Sequence, residues 1–149
     1  MTPHKLHHLL HSHKIFYFFT WFTRILLALA FIPSGLKKIM GLRFTTMGIE
    51  SPIGFFFEGL YRTGFYWNFL GWVQLSAAAL LLIPRTSLLG AVIYLPVVVN
   101  ILVIVTAMNF SGTPVVAALM LLANCYLLLW DYPRTKMLLV SLLSSGEKC

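Results

Sequence analysis

The chain has 149 residues, of which 59% are hydrophobic and 10% are charged, and its formal net charge is +7. A soluble domain of this composition has too few polar residues to cover its surface, so the bilayer is the expected solvent. The basic residues lie at the ends of apolar runs, where they contact anionic headgroups and set topology. We therefore expect membrane lipids as partners and no nucleic acid.

The chain opens with a basic, histidine-rich tail, residues 1–14. His4, His7 or His8, and His11 could share one helical face and hold a metal ion. Tails of this kind are more often basic segments at the membrane surface, and we favour that interpretation, without a metal site.

Four apolar runs follow, and each is long enough to cross about 30 Å of hydrocarbon as a helix. None shows strand alternation, so helices are the structure that satisfies the backbone in lipid. We predict an all-α integral membrane four-helix bundle over residues 15–135, followed by a C-terminal tail, residues 136–149. The four runs are roughly Ile15 to Met40, Tyr66 to Ile83, Ser87 to Met108 and Pro114 to Tyr132.

The connection between the first two runs, Gly41 to Phe65, is long and aromatic. Within it, "SPIGFFFEGLYRTG" begins with a Ser-Pro helix-start signal at Ser51. Glu58 and Arg62 are spaced to pair on a helix surface. The segment predicts a short interfacial or re-entrant helix between the first and second spans.

The basic residues indicate the orientation of the bundle. Four spans place both termini on one side, which carries six Lys and Arg residues against four on the other side. The positive-inside rule then predicts that both termini are cytoplasmic, and we expect a bacterial cytoplasmic membrane.

Polar side chains inside the spans raise the question of function. Counting 1.5 Å per residue from the cytoplasmic ends places Arg24, Gln74 and Asn124 at nearly one level, about 12–15 Å deep. Asn100 lies deeper, at roughly 20 Å. An arginine facing lipid costs at least about 2.5–3.5 kcal/mol, so we expect Arg24 to face the interior and to donate to Gln74, Asn124 and Asp131.

Lys38 lies near the same helix face as Arg24 and extends this polar stripe toward the far side. The candidate ligand-binding residues are Arg24, Lys38, Gln74, Asn100 and Asn124. The structural alternative is that Asn and Gln side chains only hold helices together, at about 0.6 kcal/mol each. For Arg24 we favour a functional role, and packing or assembly is the alternative.

The sequence lacks the residues that several kinds of cofactor or catalytic site require. No histidine lies in a span, which excludes a transmembrane haem with histidine ligands. No acidic residue lies deep in a span, and the sequence has no cysteine pair for thiol exchange, no carboxylate–histidine cluster and no glycine-rich phosphate loop. Enzymatic activity stays open but is the weakest alternative, because no acid, base or nucleophile is apparent at depth.

The stretch "TRILLALAFIPSGLKKIMG" resembles the opening of the DoxX family, in which an Arg leads an apolar run that ends in Ser-Gly-x-x-Lys and a Gly. Here these residues are Arg24, Ser34, Gly35, Lys38 and Gly41. The aromatic connector, a third span that contains proline, and a fourth span that ends "LLLWDYPR" extend the resemblance over the predicted bundle.

The resemblance implies a four-helix membrane protein, and some DoxX relatives are associated with redox systems, including a thiosulfate:quinone oxidoreductase. We therefore expect an accessory or binding subunit whose polar pocket holds a quinone or another lipophilic molecule for a membrane redox partner. The family often has an acidic residue early in the second span, near which this chain has Gln74. The alternatives are a purely structural membrane subunit, an enzyme acting on a lipophilic substrate, and, for assembly, a homo-oligomer.

Overall fold

A computed structural model of the protein describes residues 14–144. The histidines of the basic tail, His4, His7, His8 and His11, lie outside the described residues. Within this range the chain is helical and contains no strand. The helices are α1 (Lys14–Ile39), α2 (Pro52–Arg62), α3 (Phe65–Leu82), α4 (Ser87–Ala107), α5 (Thr113–Trp130) and α6 (Tyr132–Ser144).

Four of these helices, α1, α3, α4 and α5, are long and apolar enough to cross a membrane. The chain is therefore a small integral membrane protein, and the predicted all-helical architecture is confirmed. Each predicted span agrees with the observed helix to within two residues at either end. This agreement follows because the bilayer thickness, and not side-chain detail, fixes how long an apolar run must be.

The four spanning helices pack in sequence order, α1 on α3, α3 on α4 and α4 on α5, and α5 returns to α1. Aromatic rings fill the centre of the bundle. The rings of Phe31 and Tyr94 stack with their centroids 3.7 Å apart. The hydroxyl of Tyr94 donates to the carbonyl of Leu27 at 3.3 Å, which ties α4 to α1 across the core.

Glycines set the closest approaches between helices. A Cβ atom on Gly71 would lie 2.8 Å from the carbonyl oxygen of Gly35, so α1 and α3 nearly touch there. On α4, a Cβ atom on Gly90 would lie 2.6 Å from the backbone nitrogen of Leu81. Small residues at such contacts let helix backbones pack closely in a membrane, where no hydrophobic force drives association.

The short helix predicted in the connector is α2. The Ser51 hydroxyl caps it by accepting from the backbone N–H of Gly54 at 3.0 Å. The predicted pair of Glu58 and Arg62 is confirmed, at 2.9 Å, and Glu58 also accepts from Arg43 at 2.8 Å. Eleven residues are too few to cross a bilayer, so α2 is not a fifth span.

The helix α6 was not predicted, because its residues were assigned largely to the C-terminal tail. It follows α5 directly, and the hydroxyl of Thr135 donates to the carbonyl of Leu128 at 2.9 Å. Met137 and Val140 are largely exposed. The described part of the tail is thus a helix attached to the end of α5.

The Glu58 cluster predicts an acid-sensitive connector. Hydrogen bonds from Arg43 and Arg62 lower the pKa of Glu58 from 4.5 to about 2. A carboxylate with a lowered pKa stabilises the fold fully above its ordinary pKa, and this contribution is lost as the pH falls toward the lowered value. We expect backbone amide exchange in residues 41–62 to increase, after correction for intrinsic rates, between about pH 4.5 and about pH 2.

The control for this measurement is Glu58→Gln, followed by hydrogen exchange and mass spectrometry across the same pH range. Its connector should exchange faster than wild type at neutral pH and should show no further increase in acid. An equal acid-induced increase in both proteins would assign the effect to other groups.

Candidate functional site

The interior face of α1 carries two cationic side chains. Arg24 and Lys38 are 8% and 7% exposed, and they are separated by 14 residues, or about 21 Å of helix. Phe31, midway between them, is also buried, so the three residues share one core-facing stripe. Within residues 14–144, neither cation forms a salt bridge with an acidic side chain. The bundle therefore contains two buried cations without a bonded carboxylate.

Lys38 is held by neutral groups. Its Nζ atom donates to the hydroxyl of Ser34 at 2.6 Å and to Oε1 of Gln74 at 3.0 Å. The ammonium also lies over the rings of Trp67 and Phe44, 5.0 and 5.2 Å from their centroids. Aromatic faces attract a cation, more strongly where water is excluded. The charge of Lys38 is therefore satisfied within the protein.

The fold builds this cluster from the close α1–α3 contact and the connector. The contact at Gly71 brings α3 against Lys38, whose Cβ atom would lie 2.9 Å from a Cβ on that glycine. The indole N–H of Trp67 donates to the carbonyl of Leu42 at 3.2 Å, which joins the connector to the start of α3. Of these partners, only Ser34, one turn before Lys38, has a spacing that the sequence could have indicated.

The structure places Gln74 beside Lys38, and the expected contact between Gln74 and Arg24 is wrong. Gly35 and Gly71 pack at one level in antiparallel helices, so the residue level with Arg24 is Leu82, the last of α3. Counting depth from the run ends assumes that all spans start in one plane. Instead, α1 begins ten residues before Arg24 and extends about three turns past the end of α3.

Arg24 therefore lies near one end of the bundle. Its Cζ atom is 5.7 Å from the centroid of the Trp21 ring, one turn closer to the start of α1. The carboxylate of Asp131 and the hydroxyls of Tyr17 and Tyr126 are near enough to act electrostatically on its guanidinium. Among the residues that the structure describes, none accepts a hydrogen bond from the buried Nε atom.

Asn124 provides a buried acceptor at about the same level. The hydroxyls of Thr20 and Tyr126 lie 3.0 Å apart and fix the register of α1 against α5. From that contact, Arg24 lies about 6 Å further along α1 and Asn124 about 3 Å further along α5, in the same direction. The amide of Asn124 donates to the carbonyl of Ala91 at 3.1 Å, and its Oδ1 atom has no partner in the described part of the chain.

The expected hydrogen bond between Arg24 and Asn124 is thus not formed among the described residues, although both side chains are buried near one level. A buried donor or acceptor without a partner costs about 1–3 kcal/mol. A bound molecule that accepts from the guanidinium and donates to the amide oxygen would satisfy both groups. This pair, with Trp21, Tyr17 and Tyr126 near Arg24, is the candidate binding site.

Asn100 does not belong to either cluster, which corrects its prediction as an interior residue. It is exposed on α4, beside Val99 and Val103, which are 40% and 62% exposed. The helix α4 is apolar on nearly every side, so its sequence has no periodicity that identifies the face toward the core. Asn100 therefore lies on the outer surface of the bundle.

Comparison with known proteins gives one informative relative. No protein-family model matches the chain, and no solved structure matches it. The chain is 36% identical over 113 residues to the uncharacterized protein YwoB of Bacillus subtilis (strain 168), and the match covers 72% of each chain. The chain belongs to the same protein family as YwoB.

Proposed function

We propose that this chain is an accessory or binding subunit in which Arg24 and Asn124 hold the polar head of a lipophilic molecule. The observation that carries the proposal is the unpartnered Nε atom of Arg24 together with the unpartnered Oδ1 atom of Asn124 at about the same level of the bundle. A hydroxyl oxygen can accept from the first and donate to the second. A quinol head, or its quinone form through the guanidinium alone, has this chemistry.

The surroundings favour an amphiphilic ligand. Arg24 lies where α3 ends, the Trp21 ring lies 5.7 Å from its Cζ atom, and the hydroxyls of Tyr17 and Tyr126 are near enough to act on it electrostatically. Tyr and Trp are typical of the headgroup level of a membrane. A ligand could therefore bind its polar head here and leave its hydrocarbon tail in the lipid beside α1.

Lys38 and Gln74 are not included in the proposed site. The ammonium of Lys38 already donates to Ser34 and Gln74 and lies between two aromatic rings, so it offers no free donor comparable to that of Arg24. We assign this second cluster to the stability of the bundle.

The wider context is proposed from the sequence. Because the sequence resembles the DoxX family, some members of which are associated with redox systems, we propose a membrane redox partner. We assign any electron transfer to that partner and not to this chain. The balance of basic residues supports cytoplasmic termini. We place the chain in a bacterial cytoplasmic membrane because its relative YwoB is a Bacillus subtilis protein. YwoB is uncharacterized and gives no ligand for comparison.

Arg24→Gln tests the proposal. The protein would be purified in mild detergent, and co-purifying small molecules would be quantified by mass spectrometry. Removing a charge-assisted donor weakens binding by about 1.5–3 kcal/mol, so we expect an affinity at least about tenfold lower and a clear loss of a molecule that is near-stoichiometric in wild type. The matched control is Lys37→Gln, which removes an exposed cation from the same helix and should leave retention unchanged.

Asn124→Leu provides an independent test of the same site, and it should also reduce retention. Circular dichroism and gel filtration would verify that each variant is folded. The same lipid background in wild type and Arg24→Gln would exclude the binding function. Reduced thermal stability without any change in bound molecules would instead identify Arg24 as a structural residue.

A further inference from the structure

The outer side of α4 carries one amide in an otherwise apolar surface. Asn100 is exposed, and at 1.5 Å per residue it lies about 10 Å from the Ala107 end of the helix. Four exposed residues within about two turns of it lie on the same outward side. They are Val92, Pro96, Val99 and Val103. We call these four residues and Asn100 the α4 outer stripe.

The protein itself does not satisfy this amide. The Asn100 side chain forms no hydrogen bond with any residue between 14 and 144. It is also too short to reach the membrane interface across about 10 Å. Transfer of an amide into hydrocarbon without a partner is unfavourable, so Asn100 needs a partner outside the described bundle.

A second polar group lies on the same surface. Pro96 has no N–H, so it cannot donate to the carbonyl of Val92 four residues earlier. The α4 outer stripe thus contains a carbonyl that lacks its helical donor, two turns from an amide that lacks any partner. No charged residue lies on the stripe, so nothing on it selects a partner of opposite charge.

We propose that the α4 outer stripe is the contact surface between two copies of this chain, with the two Asn100 amides hydrogen-bonded across a twofold axis. A primary amide has both donors and an acceptor, so two identical amides satisfy each other. In a twofold contact both copies use the same surface, and a residue that lies at the axis meets its own counterpart, which is the arrangement that such a pair requires. The surface belongs to α4, whereas the proposed ligand site lies between α1 and α5, so neither proposal depends on the other.

The association constant of the dimer tests this surface. Sedimentation equilibrium in density-matched detergent micelles would compare wild type with Asn100→Leu, which suits a lipid-facing position and should fold normally. In model membrane helices, removing an interhelical amide hydrogen bond lowers the association constant by about fivefold to thirtyfold, and we expect a decrease in this range for Asn100→Leu. Asn100→Gln, which keeps the amide, should retain most of the association.

Asn68→Leu is the matched control, because it removes an exposed amide near the start of α3 and should change the constant less than twofold. Disulfide trapping locates the contact. In a Cys125→Ser, Cys149→Ser background, Val103→Cys should cross-link on oxidation, and Leu119→Cys, equally exposed on α5, should not. A monomeric wild type, a constant unaffected by Asn100→Leu, or cross-linking that does not favour Val103→Cys would overturn the proposal.

Discussion

Replacing Gly90 by alanine is expected to destabilise the bundle by about 1–3 kcal/mol, the usual range for overpacking. The added Cβ atom would lie 2.6 Å from the backbone nitrogen of Leu81 and 2.9 Å from the carbonyl carbon of Leu80. These are backbone atoms of α3, so no side chain can rotate away to relieve the contact. The two helices would have to move apart, which loosens the packing of Tyr94 on α4 against α1.

Gly59→Ala is the control for this prediction. Gly59 lies in the middle of α2, and a Cβ atom there would meet nothing within 4 Å. Alanine in a helix is more favourable than glycine by about 0.5–1 kcal/mol, so this variant should be neutral or slightly stabilised. Unfolding of both variants by sodium dodecyl sulfate in mixed micelles, followed by circular dichroism, gives the comparison. If Gly90→Ala unfolds at the same detergent fraction as wild type, the proposed clash between a Cβ atom at position 90 and the backbone of α3 does not occur.

The sequence predicted the positions of the helices along the chain better than the register in which they pack against one another. Hydropathy defines the spans because the bilayer requires about 20 apolar residues whatever their neighbours are. The register between α1 and α3 depends instead on where Gly35 and Gly71 meet, which is a property of two helices and not of either sequence alone. This is why Gln74, which was expected beside Arg24, lies beside Lys38.

The sequence predicted Arg24 and Asn124 as interior polar residues, but it did not predict the contacts that the connector makes. Arg24 and Asn124 are both buried, as predicted, and counting residues placed them at a similar level, although the same count misplaced Gln74. The ring of Phe44, over which the ammonium of Lys38 lies, belongs to an irregular part of the connector, for which periodicity gives no information. The ion pair of Arg43 with Glu58 has the same origin, since fifteen residues separate the two side chains.

The cluster around Lys38 leads to the second large effect. Gln74→Leu removes the acceptor that lies 3.0 Å from Nζ, and it leaves a buried ammonium with Ser34 as its hydrogen-bonding partner among the described residues. Hydrogen bonds to charged groups contribute about 1.5–3 kcal/mol, so we expect a loss of stability in that range. The opposite change, Lys38→Met, removes the charge and leaves Gln74 without its strongest donor, so it should destabilise less.

The double variant Lys38→Met, Gln74→Leu distinguishes a specific pair from general damage to the α1–α3 contact. Replacing both buried polar partners by apolar side chains of similar volume is often close to neutral, whereas removing one partner is not. We therefore expect the double variant to be more stable than Gln74→Leu alone, with a coupling energy of about 1–2 kcal/mol in a mixed-micelle unfolding cycle. Strictly additive losses would mean that Gln74 does not hold the charge. In that case the two aromatic rings and Ser34 would have to stabilise the ammonium without it, and a bound anion at this end of the bundle would become the better explanation for a lysine buried without a carboxylate.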